Sequence, residues 1–305
     1  MKKFLRKILA LALLFFVVEK VFIPVLYISP KQEVDKRLED VILGKMSKDI
    51  IITGSSRAAR SIIAGNLEKA LGKTAFNLSY PGADLEFQTF MLKSVLKFNK
   101  APSVFILVVD NPTEFFTSSL KFRFDRLYPL ARYDWINDEM ILRGEKNQLS
   151  KIFALARLNR SNFFLWQKKF TKNDTILKCG SMPISFQRTD REFEIPTDTL
   201  SYDISQEQKS KIEQFNEIQT ICRKNGIKLV LVSSPSCFPA NKLFEKRAKE
   251  IAFPGTKFFS DQKHKTEFLN QNYYYDEDHM KTNGATIFTE DLAEWLKKEV
   301  LFGRS

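Results

Sequence analysis

Three short apolar runs, Ile50-Ile-Ile-Thr53, Val104-Phe-Ile-Leu-Val-Val109 and Ile227-Lys-Leu-Val-Leu-Val232, each break off at small or polar residues: Gly54-Ser-Ser56, Asp110-Asn-Pro112 and Ser233-Ser-Pro235. A strand with one face in water alternates apolar with polar residues. These runs scarcely alternate, so both of their faces are buried. Between them lie stretches with helical spacing of apolar residues, Leu85 to Phe98 and Gln206 to Asn225, the latter closed by Gly226. Weaker strands are predicted at Thr74 to Leu78 and Lys257 to Ser260, and further helices at Leu243 to Ile251 and Ala285 to Leu301. Strands alternating with helices specify an α/β fold, a mainly parallel sheet covered on both faces.

At 305 residues the chain can bury one substantial core, and with 44% hydrophobic residues it is not a disordered chain. The formal charge of +12 raises the question of a nucleic-acid partner. Beyond the N-terminus, however, Lys and Arg are mixed with acids, as in Glu245-Lys-Arg-Ala-Lys-Glu250. Such mixing reads as a solvated surface, and no nucleic-acid partner is expected. Cys179, Cys222 and Cys237 lack metal-type spacing and the chain has two histidines, so neither a zinc cage nor another cofactor is predicted. The odd cysteine count leaves at least one thiol outside any disulfide.

Lys2, Lys3, Arg6 and Lys7 precede the apolar run Ile8 to Val18; after Glu19-Lys20 a second apolar stretch runs from Val21 to Ile28. A membrane-spanning helix takes about 20 mostly apolar residues, and Ile8 to Ile28 supplies them with one adjacent charge pair inside. No small-x-small site follows Val18, which favours a retained anchor over a cleaved signal peptide; an interfacial or buried helix is the third option. Positive charges ahead of the apolar run put the N-terminus in the cytoplasm and the rest of the chain on the exported side, a single-pass arrangement.

Residues 1–30 are therefore read as the anchor and 31–48 as a charged helical connector with Val34, Leu38, Val41 and Leu43 as its apolar stripe. Residues 49–305 are read as one domain. Within it, residues 113 to about 200 break the strand–helix rhythm, being rich in Phe, Arg, Tyr and Asn. Short helical pieces are predicted around Leu127 to Leu142 and Leu149 to Phe164, and the second half, with Pro183 and Pro196, reads as loops. The segment is taken as an insertion, the place where a substrate-specific surface could sit.

In an open α/β sheet, ligands bind at the carboxyl ends of the strands. Ser55 and Ser56, Gly82, Asp110 and Asn111, and Ser233 and Ser234 fall there. Acyl transfer needs a hydroxyl nucleophile, a base, an acid that orients the base, and donors for the oxyanion. His279 lies in Tyr273-Tyr-Tyr-Asp-Glu-Asp-His-Met280, three residues after Asp276, close enough in sequence for that carboxylate to reach its Nδ1. His264, in Asp261-Gln-Lys-His-Lys265, sits among solvating residues and is the lesser candidate. Read blandly, Gly-Ser-Ser is a polar turn and Gly82 a turn residue that needs positive φ.

Gly54-Ser-Ser56 after the first core strand, Asp276-Glu-Asp-His279 before the last helix, and the continuation Met280-Lys-Thr-Asn-Gly-Ala285 together resemble the SGNH (GDSL-like) hydrolase superfamily. The likeness covers roughly residues 50 to 112 and 226 to 300. It implies a flavodoxin-like three-layer α/β/α parallel sheet of SGNH type, carrying a helical and loop insertion and preceded by a transmembrane helix. It also implies Ser56 as nucleophile, His279 as base and Asp276 as its orienter. The oxyanion donors would be the backbone N–H groups of Ser56 and Gly82 and the side chain of Asn111. Two blocks depart from the family pattern. Ser55 stands where an acidic residue is usual, and Val109-Asp-Asn-Pro112 replaces Gly-x-Asn-Asp.

Anchored sequences with these blocks and a Phe/Tyr-rich insertion are similar to SGNH proteins that acylate cell-envelope polysaccharides, alginate O-acetyltransferase-like members among them. That likeness implies an envelope-anchored acyl-ester enzyme acting on a glycan, with water (esterase) or a sugar hydroxyl (O-acyltransferase) as acceptor. The membrane and envelope assembly proteins would be its partners. A reading of a different class is a catalytically inert SGNH-like protein that holds a glycan or assembly partner in the same cleft, with Arg57 and Asp110 as polar contacts.

Overall fold

Runs that are apolar on both faces form the centre of a five-stranded parallel sheet. Its strands are β1 (Ile50–Thr53), β2 (Ala75–Asn77), β3 (Val104–Val108), β4 (Lys228–Ser233) and β5 (Lys257–Ser260), in the order β2-β1-β3-β4-β5. The computed structural model describes residues 1–109, 111–163, 175–186, 201–237, 240–261, 263–264 and 266–301. Every strand pairing is parallel, with Ile52 level with Asn77 on one side and Ile106 on the other, and Leu107 level with Leu231. The sheet grows outward in both directions from β1 and β3, so the carboxyl ends of these two strands flank its switch point.

The helices of the described residues are α1 (Lys2–Val18), α2 (Ile23–Gln32), α3 (Arg37–Ile42), α4 (Ser56–Ser61), α5 (Ala64–Leu71), α6 (Leu85–Phe98), α7 (Phe124–Leu127), α8 (Asp134–Leu142), α9 (Ala154–Arg157), α10 (Lys209–Lys224), α11 (Lys242–Glu250) and α12 (Thr282–Leu296). Ile50, Ile52, Val104, Ile106, Val108, Val230 and Val232 pack with Ala58 of α4, Leu67 of α5 and Phe288, Leu292 and Leu296 of α12. The alternate residues Ile51, Phe105, Leu107, Leu229 and Leu231 point the other way, and all are buried. Away from the α12 side, α6 packs against α10, and Phe115 is set edge-on to both Phe215 and Phe244. α6 starts where the Asp84 carboxylate accepts the Phe87 N–H at 2.9 Å, capping an otherwise unpaired donor.

The chain divides into two compact units: Asp40–Phe122 with Thr171–Ser305, which holds the sheet, and Met1–Glu39 with Arg123–Phe170. The first part of the segment read as an insertion thus groups with the N-terminal helices. The helical piece predicted around Leu127 to Leu142 forms as α8 after a tight turn at Tyr128–Leu130, where Pro129 withholds an N–H, whereas the one predicted around Leu149 to Phe164 is broken into short turns. The second half of that segment falls largely on 164–174 and 187–200, outside the described residues.

In the N-terminal unit α1 carries Lys2, Lys3, Arg6 and Lys7 in its first two turns, is apolar from Ile8 to Val18 and buries none of its residues; Phe4, Leu9, Leu11, Leu13 and Phe15 are all exposed. Through a tighter turn at Glu19–Phe22 it continues into α2, and Lys2–Gln32, 31 residues, is long and apolar enough to cross a membrane. The charge pair inside this stretch is accounted for by local packing. Glu19 is 2% exposed, pairs with Lys20 and accepts the Leu155 N–H at 3.1 Å, while the Lys20 ammonium donates to the Ile152 carbonyl at 2.8 Å. Phe153 meets Phe15 and Phe16, Phe163 meets Phe22, and Asn162 donates to Ser29 Oγ at 2.9 Å.

Candidate active site

β1 ends at Thr53, and the chain turns through Gly54 and Ser55 directly into α4. Ser55 is extended (φ −82°, ψ −158°) and sits at the N-cap, so Ser56 is the first helical residue and its N–H has no partner within the helix. The turn after β2 is tied to this one: the Leu78 N–H donates to the Ile52 carbonyl at 2.8 Å and the Tyr80 N–H to the Gly54 carbonyl at 3.1 Å. Gly82 lies in that second turn with φ +72°, a left-handed conformation that an L side chain rarely adopts.

His279 is brought in by the β5–α12 connection. Tyr274 and Met280 form an isolated antiparallel bridge, the Tyr275 N–H donates to the His279 carbonyl at 2.8 Å, and the Lys281 N–H to the Tyr273 carbonyl at 2.7 Å. Within this narrow loop Asp276 Oδ1 accepts the N–H groups of Asp278 (3.1 Å) and His279 (3.0 Å), which coils Asp-x-x-His into a turn. Gly284, early in α12, leaves the loop its space, since a Cβ there would come within 2.8 Å of Met280 Cε and 3.0 Å of Tyr273 Cβ.

The three expected triad members meet. His279 Nε2 is 2.8 Å from Ser56 Oγ, and Nδ1 is 2.7 and 2.9 Å from the two carboxylate oxygens of Asp276. With its Nδ1–H donating to Asp276, the imidazole presents the Nε2 lone pair to the Ser56 hydroxyl. Burial pushes the Asp276 carboxyl upward, but the hydrogen bond and charge of His279, the Asp278 N–H and the charge of Arg60 outweigh it and hold the group below the usual carboxylate range. The histidine side chain is 19% exposed, so a substrate can reach it.

The other expected residues stand differently. Asn111 Oδ1 accepts the Thr113 N–H at 3.0 Å and caps the turn Pro112–Glu114, which leaves its amide N–H groups as donors. Arg57 is buried and donates to the Ser234 carbonyl at 3.3 Å, so it ties α4 to the end of β4. Asp110 lies outside the described residues. All three cysteines are free thiols. Burial pushes Cys222 up to about 12, and Cys237 also to about 12, by burial and then the carboxylates of Glu277, Asp276 and Asp278, so neither is a competing nucleophile.

Several residues with no assigned role in the sequence hold the site. Asn77 is fully buried; its amide donates to the Ala58 and Ile62 carbonyls, both at 3.0 Å, and its Oδ1 accepts the Ser79 N–H at 2.9 Å. It thereby clamps α4, which begins with Ser56, to the turn after β2. The one available signal was a lone amide inside the apolar run Ala75-Phe-Asn-Leu78. Ser181 Oγ accepts the Ala64 N–H and donates to the Ile62 carbonyl, both at 2.9 Å. Asn77→Ala strands these groups and is expected to lower stability by roughly 2–4 kcal/mol, read as a shifted urea midpoint with an unchanged slope. A loss within 0.5 kcal/mol would remove the clamp from the account.

His264 is not the solvated loop residue its neighbours suggested: its Nδ1 pairs with the Asp291 carboxylate, a partner 27 positions away. No family model matches this chain, and no curated protein matches it.

Proposed function

We propose that this chain is a membrane-anchored serine acyl-ester enzyme of SGNH type, with Ser56 as nucleophile, His279 as general base and acid, and Asp276 as the group that orients and charges against the imidazole. The observation that carries the reading is the continuous relay from Ser56 Oγ through His279 to Asp276, with hydrogen bonds of 2.8 and 2.7 Å. The strand order agrees with it. β2-β1-β3-β4-β5 is the flavodoxin-like order, and Ser56 follows β1 at the switch point, where such sheets bind ligands.

As Ser56 Oγ attacks the ester carbonyl, its proton passes to His279 Nε2 and the carbonyl π pair becomes an oxyanion. The imidazolium is stabilised by the Asp276 carboxylate. The N–H groups of Ser56 and Gly82 are the donors for that oxyanion, with the Asn111 amide as a third. Collapse breaks the ester C–O bond, His279 returns the proton to the departing alkoxide, and an acyl-serine remains. Water or a glycan hydroxyl then attacks, losing its proton to Nε2, and Ser56 is regenerated on collapse.

A glycan fits the surroundings. Phe186 and Tyr275 pair edge to face at 5.5 Å next to the Asp276–His279 turn and offer an aromatic flank for a sugar. The apolar Lys2–Gln32 helix would hold the enzyme at the membrane with the sheet unit on the exported side, among envelope assembly partners.

The test uses the full-length chain in detergent, exposed to a fluorophosphonate probe and assayed on an acetyl ester with and without oligosaccharide. A covalent adduct on the peptide carrying Ser56, together with acetyl release, is the expected outcome. Acetyl transferred to the sugar would select the transferase, and release to water alone the esterase. A folded wild type that takes no label and turns over no ester would overturn the proposal in favour of an inert glycan-holding or partner-holding protein.

A further inference from the structure

A second cluster of ionisable groups surrounds His264, remote in role from the triad. Directly after β5, Asp261 turns back on the chain, and its Oδ1 accepts the N–H groups of Lys263 (2.8 Å) and His264 (3.2 Å). Its other oxygen, Oδ2, receives no N–H from the described residues although the side chain is 3% exposed; it lies 3.9 Å from His264 Nδ1, and the Asp261 carboxyl meets that of Asp291. Two carboxyl groups packed together beside one imidazole repel each other when both are ionised, a conflict that a cation held between them relieves. Asp291, from α12, directs Oδ2 at the same Nδ1. One ligand atom from each of Asp261, His264 and Asp291 falls within 4.8 Å of the others.

We propose that Asp261, His264 and Asp291 bind a divalent transition-metal ion of the zinc type. One imidazole nitrogen and two carboxylate oxygens suit such an ion better than magnesium or calcium, which prefer all-oxygen shells. Ligands about 2.0–2.1 Å from a tetrahedral centre lie about 3.3 Å apart, so the 3.9 Å between Asp261 Oδ2 and His264 Nδ1 closes by a small side-chain rotation.

The surrounding groups support the ion. Glu267 Oε2 faces His264 Nε2 at 3.6 Å, where an outer carboxylate steadies the far N–H of a metal-bound imidazole. Lys263 holds Asp291 Oδ1 at 3.2 Å and leaves Oδ2 to the ion. A pocket of ≈ 370 Å³, lined in part by Asp261, Asp291 and Trp295, gives solvent access and room for a water as fourth ligand.

Asp261 and His264 begin the β5–α12 connection that carries Asp276 and His279, and Asp291 lies on the helix that follows it. A bound ion therefore fastens the start of that connection to α12. Metal binding is independent of the acyl-ester reading, and its test contains no ester.

The full-length chain in detergent is stripped with a chelator, desalted and titrated with Zn²⁺ by calorimetry, with thermal unfolding followed in parallel. One saturable site of micromolar or tighter affinity is expected, with a raised unfolding temperature. Asp261→Asn and His264→Ala should each weaken it at least 100-fold, while His279→Ala keeps it. Co²⁺ in the wild type should give a weak visible spectrum without thiolate charge-transfer bands, a readout that survives even if a variant does not fold. Absence of saturable Zn²⁺ binding, its persistence in folded His264→Ala, its loss in folded His279→Ala, thiolate bands with Co²⁺, or equal affinity for Mg²⁺ would each overturn the assignment.

Discussion

Ser56→Ala is expected to lower acetyl-ester turnover by about 10⁴- to 10⁶-fold, with the unfolding midpoint nearly unchanged. The Ser56 hydroxyl hydrogen-bonds His279 Nε2, and the residue sits at the start of α4, where alanine fits the backbone. On the proposed mechanism, removing Oγ deletes the attacking atom and leaves the oxyanion donors and the fold in place, so a small residual rate should survive. Because nucleophile and base act as one unit, the double variant Ser56→Ala/His279→Ala should be about as slow as either single one. Initial rates on an acetyl ester decide this. A Ser56→Ala enzyme retaining a tenth of wild-type turnover would refute the nucleophile assignment.

Asp276→Asn is expected to reduce turnover by about 10⁴-fold while the Asp-x-x-His turn survives. The asparagine carbonyl can still accept the Asp278 and His279 N–H groups that Oδ1 now accepts at 3.1 and 3.0 Å. Its NH₂, however, would donate to His279 Nδ1 and force the proton onto Nε2, where it faces the Ser56 hydroxyl and would block the proposed proton abstraction. The substitution also has a pH signature. In the folded protein the Asp276 carboxyl is held below its usual range, despite burial, chiefly by His279. A depressed carboxyl contributes stability above its unfolded pKa of about 3.9 and loses it as pH falls through the lower folded value. The stability gap between wild type and Asp276→Asn should thus be full at neutral pH and shrink below about pH 4, as followed by urea unfolding at several pH values. A gap that widens in acid would contradict the sign.

What the sequence made legible divides by the range of the interaction. The strands could be read because Ile50–Thr53, Val104–Val108 and Lys228–Ser233 are buried almost throughout, so composition alone marks them. Asp276 and His279 were legible because their partnership is local, three residues within one turn. α4 and α5 passed unnoticed; α4 is six residues long, and two of its buried positions are Arg57 and Arg60, which blur the apolar pattern. Asn77 and Ser181 act on backbone carbonyls supplied by distant segments, for which no periodicity exists. The partner of His264 was hidden for the same reason. Its neighbours in sequence are charged, and the carboxylate that meets it comes from α12. Arg57, read as a polar contact in the cleft, also donates to the Ser234 carbonyl, a use that only the closure of the sheet reveals.

The burial of Glu19 decides how this protein can be dissected. The exposed, lipid-like surface of the N-terminal helix is concentrated in α1, whereas Glu19, Phe22 and Ser29 belong to the hydrogen bonds and ring contacts of the unit they share with Arg123–Phe170. A cut near residue 30, where composition alone would end the anchor, removes the seam that covers Phe163 and the Leu155 backbone. A truncation after Val18 instead removes only α1, none of whose residues is buried, and keeps the contacts that Glu19, Phe22 and Ser29 make within that unit.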